Sequence, residues 1–273
     1  RHNIKMMPVI HNLLYRPGGT EAGKQVVSKM VSNPQNRRAL ILNIIQLLDR
    51  FGFDGVNIDI EDVYIEDSEN LSKFYIELGE ALRKRGYFLS ASIPSRISDE
   101  PFNPFSDPFD YGAIGGAVDQ FIVMLYNEHG WPGSGPGPVV SIGWMDRVLR
   151  YTMTKMPKEK IEAAVSVFGF DFNVTTGKTT YVTYQDAMRL ANKYGVPVKF
   201  DQATQTPMFS YQDEQGNYHE VWFENAARIY AKILLAWRLG ISGVALWRLG
   251  MEDPAVWTMM DNNVVVKKFT DLK

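Results

Sequence analysis

The 273-residue chain contains no cysteine. That excludes a disulfide framework and every thiolate metal site, and leaves the redox compartment open. Histidine is sparse. His11, His129 and His219 stand apart, without the H-x-x-H or H-E-x-x-H spacing of a zinc hydrolase, and each reads as an ordinary loop or surface residue. No apolar run approaches the ~18 to 20 residues of a membrane span. There is no excess of either charge: 29 basic and 31 acidic residues leave a formal net charge of -2, so nothing marks a nucleic-acid or membrane-surface partner. The densest basic spots, NRR at 36–38 and RKR at 83–85, fall in helix-like segments and read as solvated faces. TTGKTT at 175–180 hints at a phosphate loop, but a Walker motif needs a glycine five residues before Gly177, where Phe172 stands. The first residues, RHNIKMMPVI, lack the layout of a signal peptide, so any export signal is expected upstream.

What is present is ordinary in amount and ordered in pattern. A hydrophobic content of 45% and a charged content of 22% suit a folded globular protein, and the length suits one large α/β domain or two smaller ones. IKMMPVI (4–10) reads as a strand, followed by a helix over 34–52 in which Leu40, Ile41, Ile44, Ile45 and Leu48 repeat at helical spacing. VNIDIE then precedes a helix over 68–86 with Leu71, Phe74, Tyr75, Leu78 and Leu82 on one face. FLSASIP (88–94), QFIVMLY (120–126), IEAAVSVF (161–168) and ISGVALW (241–247) are further strands, with helices near 141–156 and 223–239. Alternating, nearly continuous apolar strands and helices predict an α/β fold with a parallel sheet. From 172 to 222 the rhythm breaks into a helix (YQDAMRLANKYG) and short strands (VKFD, PMFSY, YHEVWF), a small α+β insertion.

FGFDGVNIDIEDV (51–63) places carboxylates inside the most strand-like run. Residues two apart on a strand share a face. Val56, Ile58 and Ile60 then form an apolar face, and Asn57, Asp59 and Glu61 a polar row opposite. A solvated face, a metal site and a catalytic site all fit such a row. In parallel α/β folds functional groups collect at the carboxyl ends of strands, where Glu61, Tyr126 with Asn127, and Trp247 are all expected. An acid, a hydroxyl with an amide, and a large ring suit a carbohydrate cleft.

DGVNIDIE resembles the D-x-x-D-x-D-x-E signature of glycoside hydrolase family 18, the chitinase-like barrels. Asp54, Asp59 and Glu61 match it, and Asn57 stands where the family usually has aspartate. MLYN at 124–127 resembles the family's Met-x-Tyr-Asp motif, with Asn127 for the aspartate, and GVALWRLG at 243–250 resembles the segment whose tryptophan floors the sugar site. Within the family, the likeness to bacterial spore peptidoglycan hydrolases is greatest, through DGVNIDIE and FSYQDEQGNYHEVWFEN-like stretches.

The resemblance implies a (β/α)8 TIM barrel whose strands 1 and 2 precede residue 1. It divides the chain into a catalytic barrel at 1–171 (strands 3 to 7), an α+β insertion at 172–222 between strands 7 and 8, and a barrel completion at 223–273. It implies no cofactor and no metal. Glu61 is the expected general acid and Asp59 the holder of the substrate's acetamido N–H. Tyr126 is the bond to its oxygen, and Asn57 a member of the catalytic row that donates to Asp59 and keeps it ionised. Trp247, Met124, Asn127 and Trp131, the last on the rigid WPGSGPGP loop, are the expected substrate contacts, while Trp144, Trp222 and Trp237 read as core. The implied activity is retaining, substrate-assisted cleavage of β-1,4 bonds in N-acetylglucosamine glycans. The glycan would be spore-cortex or cell-wall peptidoglycan, cut outside the cytoplasm, and LysM modules are expected upstream. A chitinase, or a lectin-like barrel without turnover, shares the fold; retention of Glu61 speaks against the lectin.

Overall fold

The structure is a computed structural model and describes residues 4–126 and 128–266. The strands and helices run in the order β1 (Val9–His11), α1 (Gly19–Val31), α2 (Pro34–Phe51), β2 (Gly55–Asp59), α3 (Ser68–Arg83), β3 (Phe88–Pro94), α4 (Tyr111–Ala117), β4 (Gln120–Leu125) and α5 (Ile142–Met153). There follow β5 (Ile161–Ser166), β6 (Gly169–Asn173), β7 (Lys178–Val182), α6 (Tyr184–Lys193), β8 (Lys199–Asp201), β9 (Thr206–Gln212), β10 (Tyr218–Trp222), α7 (Ala226–Leu239), β11 (Gly243–Trp247) and α8 (Ala255–Asn263). The chain forms two compact units. One holds the chain to Met124 with Arg150–Glu162, and the other holds Leu125–Leu149 and Ala163–Val266.

In the first unit β1, β2, β3 and β4 form a parallel ladder in chain order. Strand β1 is shorter than the expected 4–10, yet the chain before it still binds β2: Asp54 N–H donates to the Met6 carbonyl and Asn57 N–H to that of Pro8. Asp54 returns the bond by accepting Met6 N–H on Oδ2 at 2.8 Å, so this signature carboxylate ties strands together. Val9 is 54% exposed, as befits the last strand of a ladder.

Helix α2 starts as its sequence directs. Asn33 caps it by accepting Asn36 N–H, Pro34 takes the first turn, and Gly52 closes it at φ 67°. Ile41, Ile44, Ile45 and Leu48 are buried, as are Leu71, Phe74, Tyr75, Leu78 and Leu82 of α3. Arg37 departs from the solvated face expected of NRR: its guanidinium is buried, forks onto Glu77 and donates to the Val31 carbonyl.

In the second unit β5 lies beside β11, with Val167 N–H donating to the Trp247 carbonyl at 2.9 Å. The α+β part is a five-stranded antiparallel sheet in the order β7-β6-β10-β9-β8. TTGKTT is its first hairpin: Thr176 N–H donates to Asn173 Oδ1, and Gly177 takes φ 75°. Helix α6, opened by a Thr183–Asp186 capping box, covers one face, where Ala187, Ala191, Phe209, Tyr211, Val221 and Phe223 form a core. His219 is part of that packing and not a surface residue. Its Nδ1 lies 2.7 Å from Asp171 Oδ1 and its Nε2 3.4 Å from Asp213 Oδ2, with the ring stacked on Tyr211. Trp237 on α7, expected in the core, is 77% exposed. No helix among the described residues is long and apolar enough to cross a membrane.

Candidate active site

The alternation read from VNIDIE holds. Val56, Ile58 and Ile60 are fully packed on one side, while Asn57, Asp59 and Glu61 alternate with them. Toward β3 and β4 the polar row continues, Asn57 having Ser90 as its neighbour and Ser90 having Gln120, while toward β1 its neighbour is Val9. Asp59 lies opposite His11, and Glu61 follows just beyond the carboxyl end of β2.

Burial is the dominant force on these carboxyls, because a charge held away from water loses solvation. It pushes Glu61 from its ordinary 4.5 up to about 7, with the charges of Asp59 and Asp62 adding to the rise. Burial likewise pushes Asp59 up to about 6, with His11 acting in the opposite sense. Asp59 Oδ1 and the Tyr75 hydroxyl are both buried, without a hydrogen-bond partner among the described residues. Burial and the Asp59 charge both hold the Tyr75 hydroxyl proton more tightly. Two neighbouring carboxyls of unequal proton affinity are what a general acid beside a charged helper requires.

Asn57 behaves differently from expectation. Its Nδ2 donates to Ser90 Oγ at 2.9 Å and its Oδ1 accepts from Ser92 Oγ at 3.1 Å. The amide is thus occupied by β3, and Asp59, far from being held ionised by it, is raised. A second side chain escaped the sequence reading. Asn12, buried just after β1, accepts Glu61 N–H on Oδ1 at 2.9 Å and donates from Nδ2 to the Asp62 carbonyl at 2.7 Å. It fixes the backbone that carries Glu61. Gly23 of α1 packs on this clamp; a Cβ there would come within 2.8 Å of the Asn12 carbonyl oxygen.

Met124, the last residue but one of β4, is buried and lies opposite Pro94. In the second unit the rings of Tyr126 and Trp247 are brought together, 6.4 Å between centroids and 22° from parallel. Tyr126 also packs, with Trp222 and Met251, on the cluster of Val139, Phe168, Phe170 and Phe172. Trp131 stands half exposed on its loop. That loop is seated by Gly130, at φ 116°, where a Cβ would fall 2.1 Å from the Phe170 ring. His129 donates within the same loop toward the Pro138 carbonyl at 3.1 Å. Asn127 lies outside the described residues. Among the described residues no three His, Asp or Glu side chains are placed to hold a metal ion.

The sequence pattern of the glycosyl hydrolases family 18 matches residues 3–252. The chain belongs to glycosyl hydrolases family 18. Its fold class is accordingly the TIM barrel, represented among the described residues by six strands of the βα rhythm. This family 18 chain is 34% identical over 209 residues to a cortical fragment-lytic enzyme of Bacillus anthracis, covering 75% of this chain and 48% of that protein. It is 30% identical over 273 residues to a Bacillus subtilis enzyme of the same name, covering 98% and 62%. The family 18 chain therefore spans about half to three fifths of the length of these curated relatives. Among solved structures, the Bacillus cereus spore cortex-lytic enzyme SleL matches with a TM-score of 0.88 at 31% identity, over 97% of this chain and 61% of that one. A chitinase from Chromobacterium violaceum matches with a TM-score of 0.83 at 28% identity, over 95% and 80%.

Proposed function

We propose that this chain is a retaining, substrate-assisted hydrolase of β-1,4-linked N-acetylglucosamine glycans, acting outside the cytoplasm on spore-cortex or cell-wall peptidoglycan. The observation that carries the proposal is Glu61, a carboxyl pushed up to about 7 by burial, beside Asp59 at the carboxyl end of β2. A group poised near neutral pH serves both as acid and as base.

In the first step the bond from the anomeric carbon to the glycosidic oxygen breaks, and that oxygen takes the Glu61 proton. The substrate's own 2-acetamido carbonyl oxygen bonds to the anomeric carbon from the opposite face, giving an oxazolinium ion, so the family stands apart from glycosidases with two working carboxylates. Asp59, as carboxylate, accepts the acetamido N–H and offsets the positive charge. Water then attacks the anomeric carbon from the face the leaving group vacated, the bond from that carbon to the acetamido oxygen breaks to restore the acetamide, and the water's proton passes to Glu61, with the configuration retained. The family's motifs assign Tyr126 to the acetamido oxygen and Trp247 to the sugar face. Met124 and Asn127, of the same motif as Tyr126, are further substrate contacts on this reading, and Trp131, half exposed on its loop, is another.

The names of the Bacillus relatives support cortex as substrate, and the Chromobacterium likeness supports chitin as the second reading. Incubating the protein with purified spore cortex and with chitin, and identifying released fragments by mass spectrometry, decides between them. Faster release of fragments with reducing N-acetylglucosamine from cortex than from chitin is expected; release from chitin alone overturns the cortex reading.

A further inference from the structure

His11 closes β1, and its Cα is the register partner of Asp59. Opposed residues on neighbouring parallel strands lie ~5 Å apart and point to the same face, so the imidazole and the carboxylate leave the sheet side by side. The register cannot slip, because Asn12, the next residue, is bonded to both Glu61 N–H and the Asp62 carbonyl. His11 itself is exposed to solvent.

The proposed reaction needs two unlike neighbours, a carboxylate at Asp59 and a carboxylic acid at Glu61. Burial is the largest influence on both, and the resulting values of about 6 and about 7 already include the opposing action of His11 on Asp59. Asn57 gives Asp59 no help, its amide being held between Ser90 and Ser92. The titratable groups acting on Asp59 and its neighbours are His11 from β1, Glu61 and Asp62 from the chain after β2, and Tyr75 from α3, while Lys24 of α1 acts on Asp62. Of these, His11 opposes the rise at Asp59 and is not among the influences on Glu61.

We propose that His11 is a positioning residue for the hydrolysis, its imidazole beside Asp59 favouring the carboxylate there while Glu61 keeps its proton. This rests on the function proposed above. His11 widens the gap between two carboxyls that burial raises together. Because His11 is exposed, water screens its influence, and the expected size is about half a pH unit, about threefold in the Asp59 dissociation constant.

The test is a carbon-13 carboxyl titration of aspartate-labelled wild type, His11→Gln and His11→Lys, with the Asp59 signal assigned by its loss in Asp59→Asn. His11→Gln is expected to raise the Asp59 midpoint by about half a pH unit and His11→Lys to bring it back to the wild-type value or below. Both variants should melt with the wild type, since an exposed side chain is exchanged. On a soluble chitooligosaccharide, the acidic limb of kcat/KM should move with the Asp59 midpoint. Coincident Asp59 titrations in the three proteins, or a downward move in His11→Gln, overturn the proposal. The titration requires no turnover, so an inactive wild type would refute the proposed function while the carboxyl midpoints still judge His11.

Discussion

Replacing Glu61 with glutamine should stabilise the protein by an amount that grows as pH rises from 4.5 to about 7 and is absent at lower pH. The folded protein holds the Glu61 proton up to about 7, against an ordinary 4.5, with burial the largest cause and the Asp59 and Asp62 charges next. A carboxyl raised on folding carries no penalty below its unfolded value. Between 4.5 and about 7 the unfolded chain ionises while the folded one does not, so stability falls as pH rises through that window and the full penalty applies above it. At about 1.4 kcal/mol per pH unit, the gap corresponds to about 3 kcal/mol at pH 8. Part of it is repulsion from Asp59, so the gain from Glu61→Gln and that from Asp59→Asn should not add. Glutamine is neutral throughout. Urea unfolding of wild type and Glu61→Gln at pH 4 and pH 8 should give coincident curves at the lower pH. At the higher pH the variant's midpoint should be displaced upward by about 1 M or more, given an m-value of about 2 to 3 kcal/mol per M. A displacement equal at both pH values would refute the reasoning, because it would show that the buried charge is not its source.

Asn12→Ala removes two bonds at the Glu61 backbone and leaves the Asp62 carbonyl and the Glu61 N–H unpaired; a stability loss of about 1 to 3 kcal/mol in urea and a drop in kcat with KM nearly constant are expected. Asn57→Asp places a third carboxyl beside Asp59 and Glu61, so the acidic limb of kcat/KM should move to higher pH or broaden, and superimposable profiles would mean that residue 57 is not coupled to the pair. A glycan de-N-acetylated at the sugar whose bond is broken should resist cleavage and a thiazoline mimic of the oxazolinium should inhibit, whereas a glycosyl ester trapped on Asp59 would refute the substrate-assisted mechanism.

Wherever one strand or one helix determines a feature, that feature was readable from residue order. The period of two in VNIDIE separated Val56, Ile58 and Ile60 from Asn57, Asp59 and Glu61, and the period of α3 marked Leu71 through Leu82. Features that join distant segments were not readable. Asn12 meets Glu61 across 49 positions of sequence, and Asn57 meets Ser90 and Ser92 across 33 and 35, so the expectation that Asn57 serves Asp59 overlooked the hydroxyls of a strand not yet adjacent. Arg37 read as solvated because Glu77, its buried-side partner, lies on another helix. His219 read as isolated because Asp171 is brought to it by the pairing of β6 with β10. Strands β6 and β7 were missed because DFNVTTGKTTYV mixes threonine with turn residues and has no clean apolar alternation.

The central claim is that Glu61 delivers the proton that breaks the glycosidic bond. Glu61→Gln keeps the shape and removes that proton, so the most direct measurement is kcat of wild type and Glu61→Gln on the same soluble N-acetylglucosamine oligomer, with oligomer binding followed by calorimetry. The account predicts a loss of turnover of about 100-fold or more, the range expected for a positioned acid, with binding largely intact. A variant that keeps more than about a tenth of the wild-type kcat, a change under about 1.4 kcal/mol in barrier, would contradict it.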